Sequence, residues 1–250
     1  YKSTENRNTI TKITFMDSYT PSTEADETWF ADENNNGDIV CYRTGTEIII
    51  AGNGAGKIKA NVKSSSIFSA FSKLTTIKNL ELLDTSDVTN MSDMFSGCRG
   101  LTSLDVSNFN TAKVTAMRSM FYGCSGLTSL NLSNFNTAKV TNMDGMFKSC
   151  SGLATIYAGD AWNTDKVTGS IYMFYNCTNL RGDIAYNSKY ADKTYAKTSG
   201  GYLTYKAAST KTLSLNIDPN SGAVTSYDVS TNPISRFRAF LDWSDTANVA

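Results

Sequence analysis

Met91-x-x-Met94-Phe95-x-x-Cys98-x-x-Leu101-x-x-Leu104-x-Val106-x-x-Phe109-Asn110-Thr111-x-x-Val114-Thr115 decides the fold, because the phrase returns. It recurs nearly verbatim from Met117 through Met120, Phe121 and Cys124 to Thr141, and with drift from Met143 through Met146, Phe147 and Cys150 to Thr168. Cys98, Cys124 and Cys150 stand 26 residues apart, and Cys177 follows 27 later. A period of that length predicts stacked coils, a solenoid, rather than a closed globule with one active site. Function then belongs to a repetitive outer surface or to the irregular ends of the stack.

Within one coil, Met91, Met94, Phe95 and Cys98 fall at i, i+3, i+4 and i+7, one face of a short helical segment. Gly97 and Gly100 limit it to two turns. Leu104 and Val106 then point inward, with Ser103, Asp105 and Ser107 outward, as in a half-buried strand. Residues 107–111 are turn chemistry around Phe109, and Lys113-Val114-Thr115 reads as a second short extended piece. A degenerate coil precedes these, with Phe68 and Phe71 in the Phe and Cys places.

Stacking such coils makes columns. Leu101, Leu127, Leu153 and Leu180 form one core wall, and Val88, Val114, Val140 and Val167 another. Thr85, Thr111, Thr137 and Thr164, beside Asp84, Asn110, Asn136 and Asn163, form polar ladders. Their expected job is to pair backbone groups freed at the corners, since a buried unpaired amide costs about 1–3 kcal/mol. The expected architecture is an α+β solenoid: leucine-rich-repeat-like right-handed coils of about 26 residues with parallel strands and short helical turns. A β-hairpin N-terminal cap and a β-rich C-terminal tail close it. The segments are 1–66 (cap), 67–178 (coils), 179–206 (C-terminal cap) and 207–250 (β-rich tail or the start of a further module).

Composition narrows function. With 23 basic and 23 acidic residues the formal charge is zero, so there is no electrostatic footprint of a nucleic-acid binder. Histidine is absent, which removes Ser-His and Cys-His nucleophile pairs and His-containing zinc sites. The five cysteines contain no Cys-x-x-Cys, and a column of parallel side chains predicts buried free thiols rather than metal ligands or disulfides. No run of 18 apolar residues spans a membrane. The chain opens at Tyr1, as an excised fragment would. No cofactor, metal or catalytic residue is expected.

The repeated phrase Met-x-x-Met-Phe-x-x-Cys-x-x-Leu-Thr-Ser-Leu-Asp-Val-Ser-Asn-Phe-Asn-Thr-x-x-Val-Thr closely resembles the bacterial surface protein repeat of the BspA-like leucine-rich-repeat kind, also found in mycoplasma-type lipoproteins. The likeness is strong over residues 67–178. Ile13-Thr14-Phe15 with the Gly37–Gly56 hairpin resembles that family's N-terminal cap, and residues 192–196 with 201–204 its closing segment. The resemblance implies a bacterial cell-surface or secreted protein engaged in adhesion or partner binding.

The ends carry further patterns. Gly37–Arg43 and Thr46–Ala51 read as a hairpin about Thr44-Gly45, with Phe15, Trp29 and Phe30 as anchors. Residues 212–217, 223–229 and 235–240 alternate as strands, with turns at 219–222 and 232–233. Gly52-Asn53-Gly54-Ala55-Gly56-Lys57 fails as a phosphate loop in spacing and in its last residue, and is a glycine-rich hairpin exit. Residues 32–38 match half of a calcium loop, but Arg43 stands where its last carboxylate belongs. Arg181-Gly182-Asp183 is the tripeptide many integrin ligands display, which needs an exposed loop tip to act. Asp87, Lys113, Lys139 and Lys166 form a charged edge column.

The favoured binding strip is Lys78, Asp105, Asn131 and Tyr157, flanked by Ser103, Ser129 and Thr155, because these outward positions change identity from coil to coil. The expected function is a non-enzymatic adhesion module presenting this polar face to a host or matrix protein or a glycan, as a monomer. The alternative is a structural spacer projecting a neighbouring domain. A carboxylate-only hydrolase is weakest, since no paired carboxylates recur in a pocket-forming arrangement.

Overall fold

The computed structural model describes residues 7–21, 24–31 and 38–209, and the backbone of two later strands, Leu213–Ile217 and Val224–Val229. The chain divides into two compact units, Tyr1–Ala208 and Ser209–Ala250. The first begins with strands β1 (Lys12–Met16), β2 (Glu27–Phe30), β3 (Val40–Thr44) and β4 (Glu47–Ala51). β3 and β4 are the hairpin expected about Thr44-Gly45, and Gly45 takes φ +56° at its tip. With β5 (Ile58–Lys59), β6 (Thr76–Lys78) and β7 (Leu83–Asp84) the order of the mixed sheet is β2-β3-β4-β1-β6, and β5 pairs β7 separately. β6 belongs to the first repeat and runs parallel to β1, so the cap is joined to the repeats by backbone hydrogen bonds. Ile13 and Phe15 on β1 and Ile48 on β4 are buried on the side facing the core.

The repeats do not form the α+β leucine-rich-repeat-like solenoid with short helical turns. No α-helix forms between residues 63 and 188; each Met-to-Cys segment is a ribbon of consecutive turns. The physical reason lies in where the amides point. In a helix, N–H donates four residues back along the same segment. Here Met91, Asp93, Phe95 and Gly97 instead donate to Ala116, Arg118, Met120 and Tyr122 of the next repeat, at 2.7–2.9 Å. The residues between, Met94, Ser96 and Cys98, close three-residue turns onto Met91, Asp93 and Phe95. Asp93 and Gly97 take φ +56° and +78°, and Ser119 and Gly123 repeat this one unit on. A left-handed residue at such positions ends any helix.

Nor do the strands make one continuous sheet. Residues 101–106, expected as a strand, are irregular, while the equivalent residues of the next two repeats form β8 (Ser129–Leu132) and β9 (Thr155–Ala158). β9 is the central strand, parallel to β8 on one side and to β10 (Leu203–Tyr205) on the other, in a three-stranded sheet apart from the five-stranded one. On the other wall, strand pairing shrinks to single parallel bridges, Lys63 to Asn90, Asn90 to Ala116, Ala116 to Asn142 and Asn142 to Gly169.

What holds successive repeats together is therefore side chains in register plus turn-to-turn hydrogen bonds. Phe68, Phe95, Phe121, Phe147 and Phe174 are fully buried and stack with centroids 5.2–5.8 Å apart and interplanar angles of 0–14°. Each cysteine thiol beside them donates to the carbonyl of a phenylalanine: Cys98 to Phe68 (2.9 Å), Cys124 to Phe95 (3.1 Å), Cys150 to Phe121 (2.9 Å) and Cys177 to Phe147 (2.9 Å). At the opposite corner Thr111 Oγ1 accepts from Asn136 N–H (2.8 Å) and donates to Asn136 C=O (3.0 Å). Thr85 with Asn110 and Thr137 with Asn163 do the same, as the ladder reading expects. Glycine is required where backbones touch: a Cβ on Gly126 would lie 2.5 Å from Arg99 O and 2.7 Å from Leu101 O.

The C-terminal part of this unit closes the last repeat. Lys193, at the start of a 3-10 turn (Lys193–Tyr195), donates to the carbonyls of Thr164 and Val167, and Trp162 Nε1 donates to Ala196 O at 3.0 Å. In the second unit β11 (Leu213–Ile217) and β12 (Val224–Val229) pair antiparallel, with an irregularity at Asn216/Ile217. The expected strand at 235–240, the turns at 219–222 and 232–233, and residues 32–37 of the half calcium loop lie outside the described residues.

Candidate functional site

The structure separates the sequence-predicted strip into three pieces. Ser129 and Asn131 on β8 stand in register with Thr155 and Tyr157 on β9, and Thr204 of β10 extends the second row. Alternation puts Leu130, Leu132 and Ile156 in the core and leaves the polar row on the outer face. Lys206 Nζ lies 5.1 Å from the Tyr157 ring centroid. Asn131 Oδ1 accepts from Ser133 N–H at 3.2 Å, a local turn that fixes the side chain. Ser103 and Asp105 are exposed on the irregular segment, where Asp105 Oδ1 accepts from Ser107 N–H at 2.9 Å. Lys78 is exposed on β6, in the other sheet. Thus Ser129, Asn131, Thr155 and Tyr157 come together, and Lys78, Ser103 and Asp105 do not join their sheet.

The other patterns have specific surroundings. Arg181-Gly182-Asp183 is pinned rather than presented at a loop tip. Arg181 bridges antiparallel to Ala185, the Gly182 backbone lies against Gly201 and Tyr202, and Asp183 Oδ2 accepts from Gly200 N–H at 2.8 Å. In the glycine-rich exit, Gly56 N–H donates to Asp17 Oδ1 (2.7 Å) and Gly54 N–H to Asp17 O (3.0 Å), so an acidic residue occupies the amides a phosphate would need. In the charged column Asp87 bridges Lys113 (2.7 Å) and Lys59 (2.5 Å). Hydrogen bonds from Lys113 and Lys59 pull its carboxyl down to about 2.

All five cysteines are buried and free. Burial pushes the thiols of Cys41, Cys98 and Cys177 up to about 12, and those of Cys124 and Cys150 well above the ordinary value. A thiol held protonated is a poor nucleophile and a poor metal ligand. Among the described residues no group of three His, Cys, Asp or Glu side chains could hold a metal ion.

Sequence reasoning missed a second surface feature. Tyr122, Lys148 and Tyr175 follow the stacked phenylalanines in three successive repeats, and Ile171 and Tyr172 are exposed beside them. Lys148 Nζ lies 5.8, 5.0 and 5.7 Å from the ring centroids of Tyr122, Tyr172 and Tyr175. The signal was the same one that selected the strip: the position after each phenylalanine reads Ser96, Tyr122, Lys148, Tyr175, changing from unit to unit.

A family model described as "Mycoplasma protein of unknown function, DUF285" matches residues 63–188. Those limits follow the stacked repeats, from the first parallel bridge at Lys63 to the segment after Tyr186. No curated protein and no solved structure matches the chain. With half of its length matched, over the repeats themselves, the chain belongs to this DUF285 family.

Proposed function

We propose that this is a non-enzymatic binding module, displayed on a bacterial cell surface or secreted, that recognises a host or matrix protein or a glycan. The row Ser129–Thr155 and Asn131–Tyr157 carries the reading. Four hydroxyl, amide and phenol side chains are spaced by strand pairing at about 4.8 Å on a backbone whose opposite face is core. Such a face is rigid before binding, so little ordering entropy is lost on contact. Tyrosine next to small polar residues is a composition that recognition surfaces favour. The likeness of the repeated phrase to BspA-like surface repeats supports the location and the adhesive role.

The test is a glycan and matrix-protein array probed with the wild-type chain and with Tyr157→Ala/Asn131→Ala. Binding that the double variant loses supports the strip; identical profiles for the two proteins overturn it. A spacer role is the second reading, favoured by the separate compact unit that begins at Ser209. It predicts an array with no specific signal from either protein.

A further inference from the structure

The cluster around Lys148 is built from exposed aromatic rings: Tyr172 is 55% exposed, Tyr175 46% and Tyr122 38%, with Ile171 at 66% beside them. Large apolar side chains gathered at one surface spot are uncommon without a partner. Their spacing is set by the backbone. The carbonyls of Tyr122, Lys148 and Tyr175 accept from Gly97, Gly123 and Ser149 of the preceding repeats, so these three residues rise one repeat at a time. Adjacent steps are about 4.8 Å apart, on the scale of one pyranose unit. Tyr172 and Tyr175 meet edge to face, centroids 5.4 Å apart at 68°. The edge of one ring meets the face of the other, so the pair offers faces in two directions rather than one flat platform.

Lys148 supplies the charge. Its ammonium is held among three rings by cation–π attraction, and it forms no ion pair or hydrogen bond among the described residues. Its N–H donors are therefore uncommitted. Asp144, the acidic residue one repeat before Ile171, does not neutralise the ammonium through an ion pair; its Oδ1 accepts from Ile171 N–H at 2.7 Å. A flat ring face wants the apolar C–H face of a sugar, a phenol wants hydroxyls, and a lone ammonium wants a carboxylate.

We propose that Tyr122, Lys148, Tyr172 and Tyr175 form a binding site for an acidic polysaccharide, with pyranose rings stacked on the tyrosines and a uronate-type carboxylate paired with Lys148. The site shares with the function proposed above only the premise that the repeats are a scaffold. Its residues follow the stacked phenylalanines, not β8 and β9, so variants of the two surfaces fail separately.

The test titrates the full chain with hyaluronate oligosaccharides, with neutral dextran and polyglutamate as controls, by calorimetry and saturation-transfer NMR. Hyaluronate is expected to bind with a salt-dependent affinity that Lys148→Gln and Tyr172→Ala each weaken by about tenfold or more, while Tyr157→Ala leaves it unchanged. All three side chains reach the surface, and matching thermal transitions confirm that the variants are folded. The proposal is overturned if hyaluronate does not bind, if dextran binds equally well, or if neither cluster variant changes the affinity. It is also overturned if polyglutamate binds as tightly and competes, which would make the site a simple acceptor of acidic peptide.

Discussion

Tyr202 meets Phe174 edge to face, ring centroids 5.3 Å apart at 76°, and so ends a column of five parallel phenylalanine rings. Phe15 does the same to Phe68 at the other end, at 6.1 Å and 79°. A ring turned on edge presents its positive rim to the negative face of the last ring and offers no parallel face for another. Both caps thus terminate the stack by the same geometry, although neither segment belongs to the repeats.

Truncating the middle of that column should be costly. Phe121 is fully buried with ring neighbours on both sides, so Phe121→Ala is expected to lose about 3–5 kcal/mol in urea unfolding. Tyr202→Ala should loosen the last repeat first, seen as faster amide exchange at Cys177 and Leu180 than at Cys124. Equal exchange at both ends of the column would contradict the capping role.

The threonine ladder gives a sharper comparison. Thr111→Val keeps the shape but leaves the N–H and C=O of Asn136 without their hydroxyl partner, in a place where Thr111 is 2% exposed. A loss of about 2–6 kcal/mol is expected, from roughly 1–3 kcal/mol for each of the two stranded groups. Thr111→Ser keeps the hydroxyl and should recover most of it.

The thiols are expected to be silent in the folded protein. An aromatic disulfide reagent at pH 8 should modify none of Cys41, Cys98, Cys124, Cys150 and Cys177 until denaturant is added, since all are buried with raised pKa values. Fast labelling of any of the four column cysteines under native conditions would show that the turn ribbon opens.

Asp87 sets a pH dependence. Its folded pKa, about 2, lies below the unfolded value of about 3.9. Its contribution to stability is therefore present above the unfolded value and lost as pH falls through about 2. The contribution is small, because the bridge to Lys59 and Lys113 is exposed. The shift itself is measurable by NMR titration of the Asp87 carboxyl, and Lys113→Ala should move the midpoint up.

Backbone contact predicts one more sensitivity. Gly126→Ala places a Cβ against two carbonyls of the preceding repeat and should destabilise by more than about 1 kcal/mol. Gly200→Ala, where nothing lies within 4 Å, should show only the smaller cost of its left-handed φ. Thermal unfolding of the pair separates the two effects.

Much of this was legible in particular residues. The threonine and asparagine columns declared a repeated backbone pairing, and Thr85, Thr111 and Thr137 carry it out. The cysteine column was readable as packing, and its thiols are buried. The helical reading of Met91, Met94, Phe95 and Cys98 failed because i, i+3, i+4, i+7 spacing reports which side chains share a face, not where the amides between them donate. Gly97, Gly123 and the left-handed Asp93 and Ser119 were the traces of the turn ribbon. Of the expected strip, only the part on β8 and β9 shares a sheet, since residues 101–106 form no strand to join it to β6.

The sequence alone determined the register of the repeats and their inward columns, because a side chain placed every 26 residues can only stack on its own copies. Tertiary structure decided whether each amide closes a local turn or reaches the next repeat, and that choice depends on acceptors about 25 residues away, which no local pattern encodes. It also decided the gathering of Tyr122, Lys148, Tyr172 and Tyr175, three repeats meeting at one spot. The recurring Phe-x-x-Cys phrase set the spacing of the units; the geometry of their turns set which of the changing residues between them face outward together.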